Sequence, residues 1–509
     1  MRFATMRFAT PEARPAGRAA LRPPVAARHS AAPWAAVALL AVLLLLVIVR
    51  LPWAGDLGMH AATVERLRHD LVHPGNPLVR TDTPSPYYSP WMLVLGCAAR
   101  AGGLSVFVVL RLAALAGLVL LATGVRRYVR TLSAHPAAPA VAALSLVLLW
   151  GTVLINWSGF LSLNSLALTV SYPSVLALGL AFHHWAWLTR ALRTPAGWEV
   201  WLGLGALWAV ILLCHQFTGV VDTLGALAAV VCARPPRERW PRIAVGTALG
   251  LLVLGLWPYY DFFALSSAGG DLEEVHRALY DHFAGRYWLA LLGVAALVPR
   301  WRRDRRDVLV VFFALGALVC AAGFVTGHYS WGRALPAALV PAQLAAALAV
   351  VEGGARAVRI RWAWALAAAL AAGAWTQSGV LGYVVGRARL PAALAANYTR
   401  PWAGYHWITP HVRYGDVVMA RDFPSRLIPA YGAYTVAPGY PEFFLADEDG
   451  RERAVQRYYR RGTPPGVRRD ILRAYAVRWV VDTATPRPAP GLRPVARGAG
   501  GQVLYAVNP

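Results

Sequence analysis

The sequence predicts an α-helical membrane protein with about 11 transmembrane helices, followed by a small extracytoplasmic α/β domain over residues 388–509. Three observations support this fold class. Hydrophobic residues make up 57% of the 509-residue chain, and its mean hydropathy is +0.45. Apolar runs of roughly 17–25 residues recur between Trp34 and Val385, long enough to cross about 30 Å of hydrocarbon. After residue 387 the pattern changes to short β-branched strands that alternate with helices.

The membrane domain is predicted over residues 33–387, after a disordered cytoplasmic N-terminus over residues 1–32 that is rich in proline, alanine and arginine. The first apolar segment is read as a retained signal anchor, because no small-residue cleavage site follows it. The apolar segments predicted to span the bilayer are 33–50, 104–124, 138–156, 172–189, 198–214, 219–233, 243–259, 286–299, 308–326, 333–352 and 362–386.

Arginine placement predicts the orientation of these spans. The net charge is +25 and the sequence contains no lysine. If residues 89–124 cross the bilayer once, all the basic loops fall on the same side of it. The positive-inside rule predicts that this side is the cytoplasm. These loops are 126–130, 190–193, 234–242, 300–306 and 356–361. The N-terminus is therefore expected inside the cytoplasm and the C-terminal domain outside it.

The single-crossing condition makes residues 91–99 a surface or half-buried helix, which Gly102 and Gly103 separate from the span that follows. A basic excess of this size is also typical of nucleic-acid binding. Arginine concentrated in cytoplasmic loops accounts for it more simply, so no nucleic-acid partner is predicted. The four cysteines are scattered through apolar segments without paired spacing, and they are expected to be small core residues.

The C-terminal domain, residues 388–509, is predicted to contain a partly parallel sheet. The expected strands are Asp416–Ala420, Tyr434–Ala437, Val477–Asp482 and Val503–Val507. The expected helices are Ser425–Tyr431, Asp447–Arg460 and Pro464–Ala474. No glycine-rich phosphate motif accompanies these strands, so the sequence does not indicate nucleotide binding.

The stretch between the first two apolar segments, residues 51–90, is predicted to be an outer loop. It is polar and interrupted by prolines, contains Asp56 and His60, and ends in Tyr-Tyr-Ser-Pro. The other predicted outer segments carry histidine, acidic and aromatic residues, whereas the cytoplasmic loops are short and basic. This asymmetry predicts that any chemistry occurs on the outer face.

Several motifs together resemble the GT-C superfamily of polyprenyl-phosphate-dependent membrane glycosyltransferases, in particular bacterial members. They are GDLGMHAATVERL, YYSPWMLVLG, ILLCHQFTG, LWPYYDFF, GHYSWGRALPAAL and RRGTPPGVRRDILRAYAVRWVVD. The resemblance implies a bacterial plasma-membrane enzyme of inverting type. Its donor would be a polyprenyl-phosphate-linked hexose or pentose, and its acceptor an envelope glycan, lipid or protein at the outer face.

Asp56 is the predicted catalytic residue. A carboxylate beside the acceptor can remove the hydroxyl proton as the new carbon–oxygen bond forms. The alternative is that Asp56 only caps the helix that follows it. His60 lies one turn later on the same face, where it either binds a divalent cation (Mg or Mn) with Asp56 or positions the acceptor. Alternatively, His60 is a histidine at the membrane interface without a functional role. Some family members have two adjacent acidic residues in this loop, whereas in this sequence Leu57 follows Asp56.

Arg333, His328 and Tyr329 are the predicted binding residues for the donor phosphate. A guanidinium suits the paired oxygens of a phosphate, and an arginine at that depth is costly unless it has a partner. Their alternative role is an ordinary aromatic belt with a snorkelling arginine. His215 is predicted to assist at the acceptor or metal, or otherwise to be a simple polar helix end.

Two other functions remain open at the level of sequence. A transporter or flippase would need ionisable groups near mid-membrane and broken helices in corresponding halves. The sequence shows few such charges, with Arg111 the main one, and no two-half repeat is evident. A non-catalytic envelope-assembly protein would keep the same topology without needing Asp56 or Arg333.

Overall fold

The computed structural model describes residues 31–267, 271–483 and 490–508. The predicted disordered N-terminus lies outside these residues, except that the first helix already begins at Ala31. The helices up to residue 400 are α1 Ala31–Arg50, α2 Leu57–His69, α3 Pro90–Gly102, α4 Val106–Leu132, α5 Ala138–Leu148, α6 Leu163–Thr169, α7 Pro173–Arg193, α8 Trp198–Cys214, α9 Gln216–Ala233, α10 Trp240–Gly255, α11 Asp271–Arg277, α12 Phe283–Tyr287, α13 Leu291–Arg303, α14 Val308–Thr326, α15 Pro336–Glu352, α16 Arg356–Thr376, α17 Gly382–Val385 and α18 Ala392–Ala395.

The protein is a mostly helical membrane protein. Among the described residues, five helices are long and apolar enough to cross a bilayer: Ala31–Arg50, Val106–Leu132, Gln216–Ala233, Val308–Thr326 and Tyr329–Glu352. Each of the eleven predicted apolar segments overlaps at least one helix. The number of segments that cross the bilayer stays a prediction.

One predicted segment, 138–156, is helical only in its first half. Helix α5 ends at Leu148, and the indole of Trp150 donates back to the carbonyl of Leu146 at 2.8 Å. The backbone N–H groups of Thr152 and Val153 then donate to the carbonyl of Gly285. The chain leaves the helix here because these amides bond to the segment before α13 instead of to their own turn.

The predicted half-buried helix after the outer loop is confirmed as α3. Ser89 caps its N-terminus by accepting from the backbone N–H of Met92 at 3.2 Å, and Pro90 occupies the first turn. Gly103 ends it with a positive φ of 60°, a conformation that glycine adopts at little cost. With 13 residues, α3 is about 20 Å long, too short to cross the hydrocarbon core upright.

The C-terminal domain contains the predicted partly parallel sheet. Its elements are β1 Val417–Met419, α19 Phe423–Leu427, β2 Tyr434–Thr435, α20 Glu448–Tyr459, α21 Pro465–Ala474, β3 Val477–Thr483, β4 Leu492–Arg497 and β5 Gln502–Val507. The strand order is β2-β1-β3-β5-β4, in which β1 runs parallel to β2 and β3 while β5 is antiparallel to β3 and β4. Strand β4 was not predicted.

The outer loop packs directly against the C-terminal domain. Helix α2, with Leu57 and Val64, shares one buried apolar cluster with Val418, Ile428 and Leu504 from the C-terminal elements. The fully buried guanidinium of Arg66 donates to the carbonyl oxygens of Gly432 (2.9 Å) and Ala433. Residues 51–90 and the C-terminal domain therefore form one packed unit.

A single glycine permits the closest approach within this unit. A methyl group at Gly58 on α2 would collide with the carbonyl oxygen of Arg426 on α19. Gly58→Ala is therefore expected to destabilise the protein by about 1–3 kcal/mol, because backbone must move to admit the methyl group. Thermal unfolding of the solubilised protein measures this effect.

Gly450→Ala is the matched control, since Gly450 lies within α20 and nothing lies within 4 Å of the added methyl group. That substitution should stabilise the protein by about 0.5–1 kcal/mol, because alanine is the better helix former. Equal effects of the two substitutions would show that the contact between α2 and α19 is not tight.

Candidate active site

Asp56 immediately precedes α2, in the outer loop. Its side chain makes no capping hydrogen bond to the helix, so the predicted capping alternative is not what holds it. Two tyrosines fix the backbone just before it. The hydroxyl of Tyr440 donates to the carbonyl of Gly55 at 2.7 Å, and the hydroxyl of Tyr172 donates to the carbonyl of Ala54. The carboxylate is thus held in place by its backbone while its oxygens remain available.

Burial and two arginines set the acidity of Asp56. Burial raises the pKa of its carboxyl group, and the positive charges of Arg333 and Arg426 partly oppose that rise. The net pKa lies above the ordinary aspartate value. A carboxylate with a raised pKa is a stronger base than an exposed aspartate, and proton transfer benefits when the pKa approaches the working pH.

His60 is buried on α2, and its ring meets the ring of Tyr172 edge-on with centroids 4.6 Å apart. Burial lowers the pKa of His60 to about 3, so the imidazole is neutral at physiological pH. In this position His60 supports Tyr172, and through it the backbone before Asp56. Its predicted contact with an acceptor or a metal stays a prediction.

Arg333 is buried, with 5% of its surface exposed, in the 3₁₀ turn Tyr329–Ala334 that leads into α15. Its Nη2 donates to the hydroxyl of Ser158 at 2.9 Å, while its buried Nε has no hydrogen-bond partner. Within the described part of the chain, no carboxylate forms an ion pair with it. A buried cation in this state favours binding of an anion.

Aromatic side chains enclose this guanidinium. Phe217 lies 4.7 Å from it, Trp157 5.2 Å and Phe160 6.0 Å, measured to the ring centroids. Ring faces attract a cation without neutralising it and they exclude water. Glu273 on α11 fixes the turn itself, since it accepts from the backbone N–H of Ser330 at 2.7 Å and from the Ser330 hydroxyl at 2.6 Å.

His215 lies beside Arg333, at the junction of α8 and α9. Its Nδ1 accepts the backbone N–H of Thr218 at 3.2 Å, which assigns the proton of the neutral imidazole to Nε2. Nε2 lies 3.5 Å from the Nη2 of Arg333. Two donors therefore lie side by side, and the Ser158 hydroxyl is the one acceptor that the described residues offer to either of them. An anionic oxygen would satisfy both.

The other two predicted phosphate-binding residues have different neighbours. His328 is exposed, where its Nδ1 lies 2.9 Å from the hydroxyl of Thr326 and its ring stacks on Trp331. Tyr329 packs against Tyr280 and beneath the guanidinium of Arg277. Neither has a described contact with the guanidinium of Arg333, so their part in phosphate binding stays a prediction.

The charges around Asp56 do not favour a divalent cation. The groups whose charges act on the carboxylate are Arg333 and Arg426, and both repel a cation. Among the described residues, no three side chains from histidine, cysteine, aspartate and glutamate come together as a metal site. The predicted cation at Asp56 and His60 stays a prediction.

Several residues of the site were not predicted from the sequence. Trp157, Ser158 and Phe217 surround Arg333, and all three lie in or next to segments that the topology already placed outside. Arg426 and Tyr440 come from the C-terminal domain and reach Asp56 from a distant part of the chain. No local pattern marks these two, because only the packing of α19 on α2 brings them to the site.

Known proteins resemble this chain at the level of the fold. No family model and no curated protein matches the sequence. Two solved structures superpose over nearly the whole chain. The arabinofuranosyltransferase AftD from Mycobacteria gives a TM-score of 0.58 at 18% identity, over 94% of this chain and 40% of AftD. ArnT from Cupriavidus metallidurans, solved with bound undecaprenyl phosphate, gives 0.51 at 16% identity, over 93% of this chain and 98% of ArnT.

The chain has the GT-C fold. The resemblance expected from the outer-loop motifs is thereby confirmed. The chain spans less than half the length of AftD but nearly all of ArnT, so the shared GT-C architecture is that of the smaller protein. At these identities the likeness establishes the fold, and the reaction is argued from the side chains described above.

Proposed function

We propose that this protein is a glycosyltransferase that transfers a sugar from a polyprenyl-phosphate carrier to an envelope glycan, lipid or protein. The reaction would take place at the outer face of a bacterial plasma membrane, with the N-terminus in the cytoplasm and the C-terminal domain outside. ArnT, of similar fold and length, was solved with undecaprenyl phosphate, which supports this class of donor.

The observation that carries the proposal is the unneutralised guanidinium of Arg333 within electrostatic reach of Asp56. The two charges influence each other, yet they form no ion pair within the described residues. A buried cation and a basic carboxylate that act on each other without an ion pair suit a sugar phosphate, with the phosphate at Arg333 and the acceptor hydroxyl at Asp56. Transfer from a lipid phosphate needs these two groups.

The chemical step follows from these positions. The acceptor oxygen attacks the anomeric carbon, and its proton passes to the Asp56 carboxylate as the new carbon–oxygen bond forms. The bond between the anomeric carbon and the phosphate oxygen breaks on the opposite side, which inverts the anomeric configuration. The negative charge that develops on the departing polyprenyl phosphate is stabilised by Arg333 and by the Nε2–H of His215.

The proposal is tested with the full chain in proteoliposomes that contain a radiolabelled polyprenyl-phosphate sugar. Because the acceptor class is open, the assay measures release of free polyprenyl phosphate when envelope extracts are added. A glycosyltransferase breaks the sugar–phosphate bond in that assay. A transporter or flippase would move the label across the bilayer with this bond intact, which would contradict the proposal.

Replacement of Arg333 by glutamine is expected to weaken binding of undecaprenyl phosphate about 10–100-fold, the value of a hydrogen bond to a charged group. Glutamine can retain the bond to Ser158 but carries no charge. The ligand-free variant should be at least as stable as the wild type, because an unpaired buried cation is removed. The rise in unfolding temperature on adding undecaprenyl phosphate measures both effects.

Arg277→Gln is the matched control. Arg277 belongs to the neighbouring helix α11 but is largely exposed, and it is paired with Glu274 at 3.9 Å. This variant should respond to undecaprenyl phosphate as the wild type does. If Arg333→Gln keeps the wild-type response, the phosphate does not bind at Arg333.

A further inference from the structure

A cavity of about 470 Å³ opens at one edge of the C-terminal sheet. It has no part in the chemical step described above. Its polar and aromatic lining consists of Arg421, Asp422, Ser425, Glu452, Gln456, Tyr459 and Arg460. Within the described part of the chain, the side chains of Glu452 and Gln456 make no hydrogen bond. The cavity therefore offers polar groups that the fold itself does not use.

The cavity lies beyond the carboxyl ends of β1 and β2. Strand β1 lies between β2 and β3 and runs parallel to both. The chain leaves β1 towards β2 on one side, and then passes to β3 on the other side of β1. Residues just after β1 (420–422) and just after β2 (437–438) line the cavity. In open α/β sheets, ligands bind beyond the carboxyl ends of the strands, which is the end of the sheet where this cavity lies.

The charges of the lining argue against an anionic ligand. Two arginines are balanced by one aspartate and one glutamate, so their formal charges cancel. The loop after β1 contains no glycine, and it cannot form the glycine-rich turn that cradles phosphates. The site therefore lacks both features that recognise a nucleotide or a phosphate.

The same lining suits a ligand with many hydroxyl groups. Carboxylates accept hydrogen bonds, guanidinium groups donate them, and an amide does both, as alternating sugar hydroxyls require. Tyr459 contributes its ring more than its hydroxyl, since the hydroxyl already lies 2.7 Å from the carbonyl of Val481 and 3.0 Å from that of Met419. The guanidinium of Arg421 lies over this ring, 4.7 Å from its centre. An aromatic surface among balanced polar groups is a common setting for a neutral organic ligand.

The two segments that line this cavity continue directly into residues that act on Asp56 or on the backbone before it. Ser425 lines the cavity, and the next residue, Arg426, acts on the Asp56 carboxylate and lies 5.2 Å from the ring centre of Tyr440. Pro438 lines the cavity as well, and two residues later the Tyr440 hydroxyl binds the carbonyl before Asp56. Helix α19 and the loop after β2 thus contribute residues to both sites.

We infer that this cavity binds an uncharged carbohydrate and holds a distal part of the acceptor while the acceptor's reacting end lies at Asp56. Carbohydrate binding stands on the cavity alone, whereas its role in holding an acceptor rests on the proposed function. The inference narrows the acceptor from a glycan, lipid or protein to one that carries neutral sugars.

The test is binding of the full chain, fluorescently labelled in lipid nanodiscs, to an array of neutral pentose and hexose oligosaccharides. Uronic-acid and sulfated counterparts are printed beside them. Wild-type protein should bind neutral members and not their charged counterparts. In Gln456→Trp the larger side chain should occupy the cavity. Binding of neutral glycans should therefore weaken about tenfold or more, because the sugar loses its place.

Each cavity variant has a matched control on the same helix. Arg457→Trp adds the same bulk at the next residue of α20, outside the cavity lining, and should bind as the wild type does. Glu452→Ala is a milder second variant that should also weaken binding, with Arg453→Ala as its control. If only charged glycans bind, if no neutral glycan binds, or if both cavity variants bind normally, the inference is overturned.

The same array distinguishes this inference from the proposed function. Asp56→Asn should bind neutral glycans normally, because Asp56 lies outside the cavity. Glycan binding without any release of polyprenyl phosphate in proteoliposomes would leave the carbohydrate site standing and remove the proposed reaction. Normal sugar transfer together with unchanged glycan binding by the cavity variants would support the proposed reaction and remove the carbohydrate site.

Discussion

Replacing Asp56 by asparagine is expected to lower the rate of sugar transfer about 10²–10⁴-fold, the usual contribution of a positioned general base. Asparagine matches aspartate in shape but cannot accept the acceptor's proton. Because the aspartate side chain makes no capping hydrogen bond, the variant should fold and insert normally. Release of polyprenyl phosphate by equal amounts of inserted protein measures the loss.

Asp82→Asn is the control for this experiment, since Asp82 is an exposed aspartate of the same outer loop. It should retain full activity. The pH profile gives an independent readout. The base must be ionised and its pKa is raised, so wild-type activity should fall on acidification at a pH above the ordinary aspartate range. Full activity of Asp56→Asn would remove Asp56 from the mechanism.

Replacing Arg66 by methionine is expected to destabilise the protein by about 3 kcal/mol or more, because three buried carbonyl oxygens lose their donor. These are the oxygens of Gly432 and Ala433, just before β2, and of Pro77 in the outer loop. The guanidinium also lies 3.6 Å from the ring centre of Tyr434. Methionine fills much of the same volume but replaces neither contact. Thermal unfolding of the solubilised protein measures the change.

Arg68→Met tests the same substitution one half-turn further along α2. Arg68 is partly exposed, and it forms a single ion pair with Glu65 at 3.5 Å. Its loss should change stability by no more than about 0.5 kcal/mol. Similar unfolding temperatures for the two variants would mean that Arg66 does not anchor α2 to the C-terminal domain.

Periodic patterns were sufficient to predict most secondary structure. Long apolar runs predicted the membrane helices, and short β-branched or buried runs predicted β1, β3 and β5. Strand β4 was missed because its sequence contains Pro494 and two arginines and lacks a clear alternation. It lies at the edge of the sheet, where proline and charged residues are tolerated.

Isolated polar residues within apolar runs were harder to interpret. His184 and Asp222 lie on α7 and α9, fully buried and 2.9 Å apart, yet the sequence indicated only Arg111 as a notable charge within a span. A single polar residue carries no periodic signal, and its partner depends on how the helices pack. The same holds for the active site, where Arg333 and Asp56 were each predicted but Arg426 and Tyr440 were not.

The dependence of Asp56 on the C-terminal domain has a consequence for biosynthesis. The outer loop leaves the ribosome early, but the groups that hold it, around Arg426, Gly432 and Tyr440, come after all the helices up to residue 400. Under the proposed function, a nascent chain in which all these helices have been made still lacks a complete reaction centre. Such a chain should not react with the lipid carrier until the C-terminal domain has folded onto the loop.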